Sequence, residues 1–379
     1  MDRPLVGLRV LDFSTTIAGP HCARLLADLG ADVVKIEPPE GDMMRTRLPL
    51  RDGASASFGQ LNAGKRSIVL DLKRAGAVDA ARRLAASADV LVENYRPGVM
   101  ARLGLDHPSL ARDNERLVYC AISGYGQTGP SAHLPAYAPV IHAASGYDLA
   151  HLALQPGRTV PDNGGIYIAD VLAGTYAFGA IMTALRQRDA TGKGQMVDVS
   201  MLESMLSLTL TEMQAAQFAM PPAPRRPIFG PLATSDGFVI IAIASERTFQ
   251  ALSEAAGADW SRDPRFSRYA QRRANWDIFI DSVEGWTRQM STADCLAAFA
   301  RHGVPASAYR TVREAMDDPQ IHHRDALVEV TDAAGTFKAL KPPFRLSDAA
   351  VATGPCAASL GEHTVTILAE IGLTPEQIR

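Results

Sequence analysis

The chain has 379 residues, of which 47% are hydrophobic and 21% charged, with a net charge of -3. At about 150 residues per domain this length predicts two or three domains, and the composition is that of a folded chain able to bury a core without disulfides or metals. The charge balance argues against a broad nucleic-acid surface, which needs clustered positive charge, but it allows a small basic pocket.

The first 130 residues alternate strand-like and helix-like patterns. β-rich runs lie at 8–13, 31–36, 67–72, 90–92 and 117–122, and helical patterns lie at 22–29 and 75–86. Strands separated by helices of this length predict βαβ units and a mostly parallel sheet. The predicted fold class is therefore α/β.

A long helix is predicted from Asp170 to about Arg188, and it is apolar on nearly all sides. Such a helix is typically deeply buried or part of an oligomer interface. The proline-rich segment 221–227 is typical of a linker, because prolines stiffen and extend the chain. We therefore expect a large domain at 1–220, a smaller domain at 228–325, and a C-terminal segment at 326–379 that returns to the large domain.

The four cysteines are scattered without a CxxC pair or a disulfide framework, at Cys22, Cys120, Cys295 and Cys356. Together with a charged start and no apolar leader segment, this predicts a cytoplasmic protein with reduced thiols. No run reaches the roughly 18 uninterrupted apolar residues of a membrane span, so no membrane partner is expected.

Sequence context argues against two phosphate-binding signatures and a metal site. Residues 124–129 fit G-x-G-x-x-G, but Pro130 and Pro135 follow, whereas a dinucleotide fingerprint needs a helix that opens at the glycines. A P-loop ending at Lys193 would need glycine where Gln187 stands. The histidines lack i, i+4 spacing and accompanying cysteines, so no metal site is predicted.

A glycine turn at 164–170 ends in a carboxylate, Asp170, at the start of the apolar helix. Asp is a preferred N-cap residue, so a purely structural role explains this position on its own. A nucleophilic carboxylate also explains it, because the helix dipole would keep the group ionised while apolar neighbours strip it of water. The position by itself leaves both interpretations open.

Nine sequence blocks point to a known family, at 4–13, 18–20, 26–37, 62–68, 92–98, 123–130, 169–170, 192–195 and 360–364. In this order they resemble class III CoA transferases of the formyl-CoA transferase type, within the superfamily that includes α-methylacyl-CoA racemases. The resemblance implies a large domain with a Rossmann-like parallel sheet, a smaller α+β domain, and an interlocked homodimer.

The resemblance also implies where coenzyme A would bind on the large domain. Lys73, Arg96 and Arg102 can pair with its phosphates without giving the whole protein a basic face. A CoA thioester would be a substrate, and no permanently bound cofactor is implied. The implied contacts are Ile17, Ala18, Leu70, Asp71, Leu72, Lys73, Asn94, Tyr95, Arg96, Arg102, Pro135, Ala136, Tyr137 and Ala138.

Asp170 matches the nucleophile of this family. The implied reaction passes CoA from an acyl-CoA donor to a carboxylic acid acceptor through an aspartyl anhydride and an aspartyl-CoA thioester. These intermediates require exclusion of water and hydrogen-bond donors for the tetrahedral oxyanions, and the 124–129 loop is a candidate source of such donors.

Three departures from the formyl-CoA transferase pattern bear on the substrate. Pro38 stands where those enzymes have an arginine, and Ala138 replaces a carboxylate beside Tyr137. The chain is also too short around 229–231 for the glycine-rich lid of the oxalate-using enzymes. A larger acyl group or a dicarboxylic acid is therefore expected in preference to formyl or oxalate.

Two alternatives remain open. An α-methylacyl-CoA racemase needs an acid and a base on opposite faces of its substrate, and the His-Asp pair of racemases is replaced here by Tyr137 and Ala138. Tyrosine is a poor base near neutral pH. A CoA-binding protein without turnover would function without Asp170.

Overall fold

The structure, a computed structural model, describes residues 2–155, 157–161, 164–219 and 226–378. Strands within these ranges are β1 Arg9–Asp12, β2 Asp32–Glu37, β3 Leu50–Arg51, β4 Ala54–Ser55, β5 Arg66–Val69, β6 Val90–Glu93, β7 Val118–Ser123, β8 Met196–Ser200, β9 Leu232–Ala233, β10 Phe238–Ile241, β11 Ala306–Ala308, β12 Leu327–Asp332 and β13 Gly335–Leu340.

Helices within the same ranges are α1 Ala18–Asp28, α2 Ala56–Asn62, α3 Ala75–Ala86, α4 Val99–Arg102, α5 His107–Leu110, α6 Ala138–Ala144, α7 Tyr147–Ala153, α8 Ile168–Thr191, α9 Met201–Leu206, α10 Leu210–Ala215, α11 Glu246–Ala255, α12 Tyr269–Ala274, α13 Trp276–Thr287, α14 Thr292–His302, α15 Val312–Met316, α16 Pro319–His323, α17 Thr364–Glu370 and α18 Pro375–Ile378. Short 3-10 helices lie at Met43–Thr46 and Asp259–Ser261.

A six-stranded sheet forms the centre of the fold, with strand order β5-β2-β1-β6-β7-β8 and every neighbouring pair parallel. The chain winds outward from β1 to β2 and β5, and then outward on the other side through β6, β7 and β8. The direction changes between β1 and β6, and the carboxyl ends of such strands form the usual ligand crevice of doubly wound sheets. The predicted α/β class is confirmed.

The sheet is buried on both faces because its strands are almost continuously apolar. In β1, Val10 contributes to a core on one face, while Leu11 contributes to a second core on the other. Helices α1 and α8 cover the first face, and α3 covers the second. This alternation is what a strand period of two residues produces in a sheet covered by helices.

Helix α8 is the long apolar helix expected from the sequence, and its inner side is buried at Ala173, Gly174, Ala177 and Ile181. Among the described residues it is the one helix long and apolar enough to cross a membrane by length and composition. That test is weak evidence, because a core helix passes it too. The contacts of α8 with α1, β7 and β8 account for its buried apolar side, whereas Val171 and Tyr176 on this helix are exposed.

The described residues group into two compact units. The first comprises Met1–Asp148, Asn163–Met213 and Gln320–Arg379, and the second comprises Leu149–Asp162 and Gln214–Pro319. In the second unit, the sheet β11-β10-β9 is antiparallel, and a cluster of aromatic rings surrounds Phe279. Most of the linker expected at 221–227 lies outside the described residues, which omit 220–225. The three-part domain division therefore stays a prediction.

Candidate active site

Asp170 is the third residue of α8, and Tyr167 occupies the cap position before the helix. The side chain of Tyr167 makes no cap hydrogen bond to the helix. The interpretation of Asp170 as the N-cap residue is therefore wrong. Its carboxylate lies inside the first turn, where the helix dipole favours negative charge.

The Asp170 carboxyl group is partly buried. In the part of the chain that the structure describes, no hydrogen bond or ion pair to this side chain is found, and burial alone raises its pKa to about 6. Burial has this effect because the charged form loses hydration. At neutral pH the group is still ionised, so Asp170 is a poorly solvated carboxylate of the kind that covalent catalysis uses.

The first turn of α1 meets the second turn of α8 at Gly174, one helical turn after Asp170. A Cβ atom on Gly174 would overlap the carbonyl oxygen of Ala18 and would lie 3.1 Å from Cδ2 of His21. Thr175 Oγ1 lies 3.4 Å from His21 Nε2. This contact places Ala18, an expected CoA contact, beside the helix face that bears Asp170.

The turn that leads into α1 is held by side chains from other strands. Asn94 accepts a hydrogen bond from the Thr15 N–H at 2.9 Å and donates one to the Thr15 carbonyl at 2.8 Å. Thr15 Oγ1 donates to Asp42 at 2.9 Å, and Thr16 adopts a positive φ of 71°. The side-chain amide of Asn94 therefore shapes the turn before Ile17. Asn94 is also one of the CoA contacts implied by the family resemblance.

A groove lies at the carboxyl ends of β2, β5 and β6. It brings together five of the expected CoA contacts with Pro38, the residue that replaces the arginine of formyl-CoA transferases. Ile17, Ala18, Asn94, Arg96, Arg102 and the 135–138 segment are not part of its lining. The expected contacts that line it are Leu70, Asp71, Leu72, Lys73 and Tyr95.

Lys73, Arg96 and Arg102 are exposed, and none forms an ion pair with a described residue. Lys73 lines the groove, and Arg96 follows Tyr95 in the turn after β6. Unpaired cations beside a groove suit a phosphorylated ligand, because a phosphate supplies the charge-assisted hydrogen bonds that they lack.

The 135–138 segment reaches the candidate nucleophile through α6. Tyr137 precedes this helix and is exposed, whereas Ala138 is buried in its first turn. Ala136 contacts the Gly124 backbone so closely that a Cβ on Gly124 would overlap its methyl group. Four residues after Ala138, His142 accepts a hydrogen bond from the Ala169 N–H at 3.1 Å. The sequence contained no signal for this bond, because Ala169 belongs to a family block but His142 belongs to none.

The 124–129 loop is anchored through its own backbone. The Gln127 N–H donates to Asp198 Oδ2 at 3.0 Å, and the Gly124 carbonyl accepts from the Leu202 N–H at 3.0 Å. The Gln127 N–H is therefore engaged within the protein, and a role of this loop in binding an oxyanion stays a prediction.

A buried charged cluster beneath the 14–17 turn was missed by sequence reasoning. Lys65 Nζ donates to Asp12 Oδ2 at 2.7 Å, and Lys35 Nζ donates to the Ser14 carbonyl at 2.9 Å and pairs with Asp42 at 2.9 Å. Burial opposes ionisation of Asp12, but the ammonium groups of Lys65 and Lys35 hold its pKa below the usual range. Burial lowers the pKa of Lys65 to about 8. The available signal was a charge inside each apolar strand pattern, at Asp12 and Lys35.

Glu93, at the end of β6, is buried and accepts a hydrogen bond from the Tyr95 N–H at 2.8 Å. Burial raises the pKa of Glu93 to about 7. Glu93 therefore fixes the turn that presents Tyr95 to the groove.

No group of three or more potential metal ligands is found among the described residues.

Comparison with known proteins gives the same family. Residues 5–364 match the family described as CoA-transferase family III. The acetyl-CoA:oxalate CoA-transferase of Acetobacter aceti is 37% identical over 86% of this chain and 86% of its own length. The succinate–glutarate CoA-transferase of Agrobacterium fabrum is 31% identical over 97% of this chain and 96% of its own length.

Solved structures resemble the whole fold as well. The crystal structure of a CaiB/BaiF family protein from Brucella suis has a TM-score of 0.85 at 34% identity, covering 98% of this chain and 100% of that protein. The family match over nearly the whole sequence, the relatives above 30% identity and the parallel sheet agree. The chain therefore belongs to CoA-transferase family III, and its enzymatic class is the transfer of coenzyme A to a carboxylate.

Proposed function

We propose that this protein moves CoA from an acyl-CoA donor to a carboxylic acid acceptor with Asp170 as the covalent nucleophile. The observation that supports this role is a carboxylate in the first turn of α8 that has no polar partner among the described residues and a pKa of about 6. Gly174, one helical turn after Asp170, packs against the carbonyl of Ala18. A carboxylate with only a structural task would have been paired or hydrogen-bonded.

The reaction passes through two anhydrides of Asp170 and one thioester between them. A carboxylate oxygen of Asp170 attacks the donor thioester carbonyl, the C–S bond breaks, and a mixed anhydride and the CoA thiolate form. The thiolate then attacks the aspartyl carbonyl, which releases the donor acid and leaves an aspartyl-CoA thioester. The acceptor carboxylate attacks the carbonyl of that thioester, the C–S bond breaks, and a second anhydride and the CoA thiolate form. The thiolate then attacks the acceptor's acyl carbonyl in this anhydride. New acyl-CoA leaves, and the Asp170 carboxylate is regenerated.

Coenzyme A lies, in this proposal, along the carboxyl ends of β2, β5 and β6, with its phosphates beside Lys73, Arg96 and Arg102. Leu70, Leu72 and Tyr95 supply apolar surface in the groove. The remaining contacts expected from the family resemblance, including Ile17 and the 135–138 segment, would lie on the way from this groove to Asp170. The thioester enters as a substrate and leaves as a product.

The working form is proposed to be a homodimer in a reducing compartment such as the cytoplasm. The outer surface around α8 and α9 exposes large apolar side chains at Val171, Tyr176, Leu208 and Leu210. Several large apolar side chains exposed in one region are typical of a protein–protein interface. All four cysteines are free thiols in the structure.

Dicarboxylic acids are the proposed acceptor class. The relative from Agrobacterium fabrum is named for succinate and glutarate, and others from Chloroflexus aurantiacus and Mus musculus are named for L-malate and glutarate. The relative from Acetobacter aceti is named for oxalate, so oxalate belongs in the same assay.

The racemase alternative has little structural support. Tyr137 is exposed at the start of α6 and replaces the histidine of racemases. The nearby His142 already uses Nε2 to accept the Ala169 N–H, so this nitrogen is not free to remove a substrate proton. A CoA-binding protein without turnover would need no poorly solvated carboxylate.

A donor–acceptor screen with covalent trapping tests the proposal. Succinyl-CoA and acetyl-CoA are each incubated with succinate, glutarate, L-malate and oxalate, and hydroxylamine is then added to convert an activated aspartyl group into a hydroxamate. Mass spectrometry should find the label on Asp170 in the wild type and in Asp189→Asn, a control at the exposed end of α8, but not in Asp170→Asn. Absence of exchange for every pair, or deuterium incorporation at the α-carbon without exchange, would refute the transferase mechanism.

A further inference from the structure

His142 supplies, from a neighbouring helix, the cap that α8 lacks in its own sequence. Its ring lies between α6 and the start of α8, and Nε2 accepts the Ala169 N–H at 3.1 Å in a buried hydrogen bond. The side chain of Tyr167, at the cap position, makes no such bond. One of the N–H groups left without a partner at a helix start is therefore satisfied by a histidine 27 residues away.

This hydrogen bond requires one protonation state of the ring. Nε2 accepts only when it is unprotonated, so the neutral imidazole must bear its proton on Nδ1. The ring is buried and packs against Tyr147 with centroids 5.9 Å apart. Burial lowers the pKa of His142 in spite of nearby Asp148, which agrees with a neutral ring.

The neighbouring N–H groups of the first turn are engaged, except at the nucleophile. Ile168 N–H donates to the Ile166 carbonyl at 2.9 Å, and Val171 N–H donates to the Tyr167 carbonyl at 3.2 Å. Within residues 2–155, 157–161, 164–219 and 226–378, no acceptor is found for the N–H of Asp170 itself. The turn thus leaves one donor available, and that donor belongs to the proposed nucleophilic residue.

We propose that His142 is a positioning residue for Asp170. By accepting the Ala169 N–H, it fixes the first turn of α8 so that the Asp170 carboxylate meets the thioester carbon and the Asp170 N–H stays available to the reacting oxygen. This inference rests on the proposed function, because it assigns His142 a role in forming the aspartyl intermediates. His142 itself touches no reacting atom.

Three variants separate positioning from general stability. His142→Leu removes the acceptor and should lower kcat ten- to hundredfold, because a small displacement of a reacting group lowers the rate by about this factor. The KM for acyl-CoA should change less than about twofold. His142→Gln restores an oxygen acceptor and should recover kcat to within about fivefold of the wild type. Ser145→Ala is the control, because it deletes a buried hydrogen bond to the His142 carbonyl at the end of α6 and leaves the acceptor of the Ala169 N–H in place. Its kcat should equal that of the wild type.

Nitrogen-15 NMR of histidine-labelled wild type gives a readout that needs no variant, and it should show His142 protonated on Nδ1 alone. Thermal unfolding verifies that each variant is folded. Protonation on Nε2, or an unchanged kcat in folded His142→Leu, overturns the positioning role while wild-type CoA exchange upholds the transferase. A wild type that exchanges no CoA refutes the proposed function, and this inference with it.

Discussion

Gly174 and the carbonyl of Ala18 lie so close together that a side chain cannot fit between α8 and α1. The contact lies one turn after Asp170, on the same face of α8. It sets the distance between the candidate nucleophile and the turn that leads into α1. Glycine is required here for close approach rather than for its backbone freedom, because its conformation is helical.

Replacing Gly174 with alanine should push the two helices apart. We expect a loss of about 1–3 kcal/mol in the free energy of unfolding, as is typical of an overpacked core. We also expect at least a tenfold loss of kcat/KM, because the nucleophile moves relative to bound CoA. Gly285→Ala, in the exposed part of α13, has open space around the new Cβ and should leave activity unchanged. Chemical denaturation and CoA-exchange rates measure both effects, and equal behaviour of the two variants would contradict the role of this contact.

The pH dependence of kcat should follow ionisation of Asp170. The carboxylate is the attacking form, and burial raises its pKa to about 6. The rate should therefore be flat above about pH 7 and fall about tenfold per pH unit well below pH 6. An acid limb centred near pH 4, the range of an ordinary carboxylic acid, would show that Asp170 is well solvated in the working enzyme.

Asp170→Asn should abolish exchange and stabilise the fold at neutral pH. The folded pKa lies above the ordinary value of 3.8, so ionisation favours the unfolded chain, and the native state loses stability as the pH rises from about 4 to about 6. The stabilisation of Asp170→Asn should therefore reach at most about 3 kcal/mol above pH 6 and vanish below pH 4. Thermal unfolding at pH 4 and pH 7.5 measures the difference. A neutral-pH destabilisation would mean that the carboxylate has a structural partner.

Lys73→Ala should weaken acyl-CoA binding without impairing the chemistry. The side chain lines the groove and has no acidic partner among the described residues. Loss of one charge-assisted hydrogen bond to a phosphate should raise the KM for acyl-CoA about tenfold with kcat within about twofold. Lys338→Ala removes an exposed cation of β13 that does not line the groove and serves as the control. The proposed binding mode is wrong if both variants give the same KM.

Breaking the Asp12–Lys65 pair should be strongly destabilising. Both side chains are almost fully buried, and Nζ lies 2.7 Å from Oδ2. Asp12→Asn or Lys65→Met leaves one buried charge without its partner, which should cost about 3–5 kcal/mol. The double variant should cost less than the sum of the two, because no buried charge is then left unmatched. Urea denaturation of all four proteins measures the coupling, and simple additivity would show that the two groups act independently.

The sequence by itself determined the α/β class, because strand and helix periodicities are local and β1, β2, β5, β6 and β7 follow apolar runs. It also placed Asp170 near the head of α8 and identified the family, since each of the nine family blocks is a local pattern of residues. The expected CoA contacts Leu70 and Tyr95 follow β5 and β6. They line one groove because the carboxyl ends of these parallel strands lie at the same edge of the sheet.

Tertiary structure alone decided the environment of those residues. The cap of α8 comes from His142, which lies 27 positions before Ala169 in the chain and accepts its N–H, while the side chain of Asp170 has no polar partner among the described residues. The raised pKa of Asp170 and the buried Asp12–Lys65 pair likewise arise from burial by segments distant in sequence. Hydration and charge pairing depend on which groups meet in space, and no local pattern of residues specifies that.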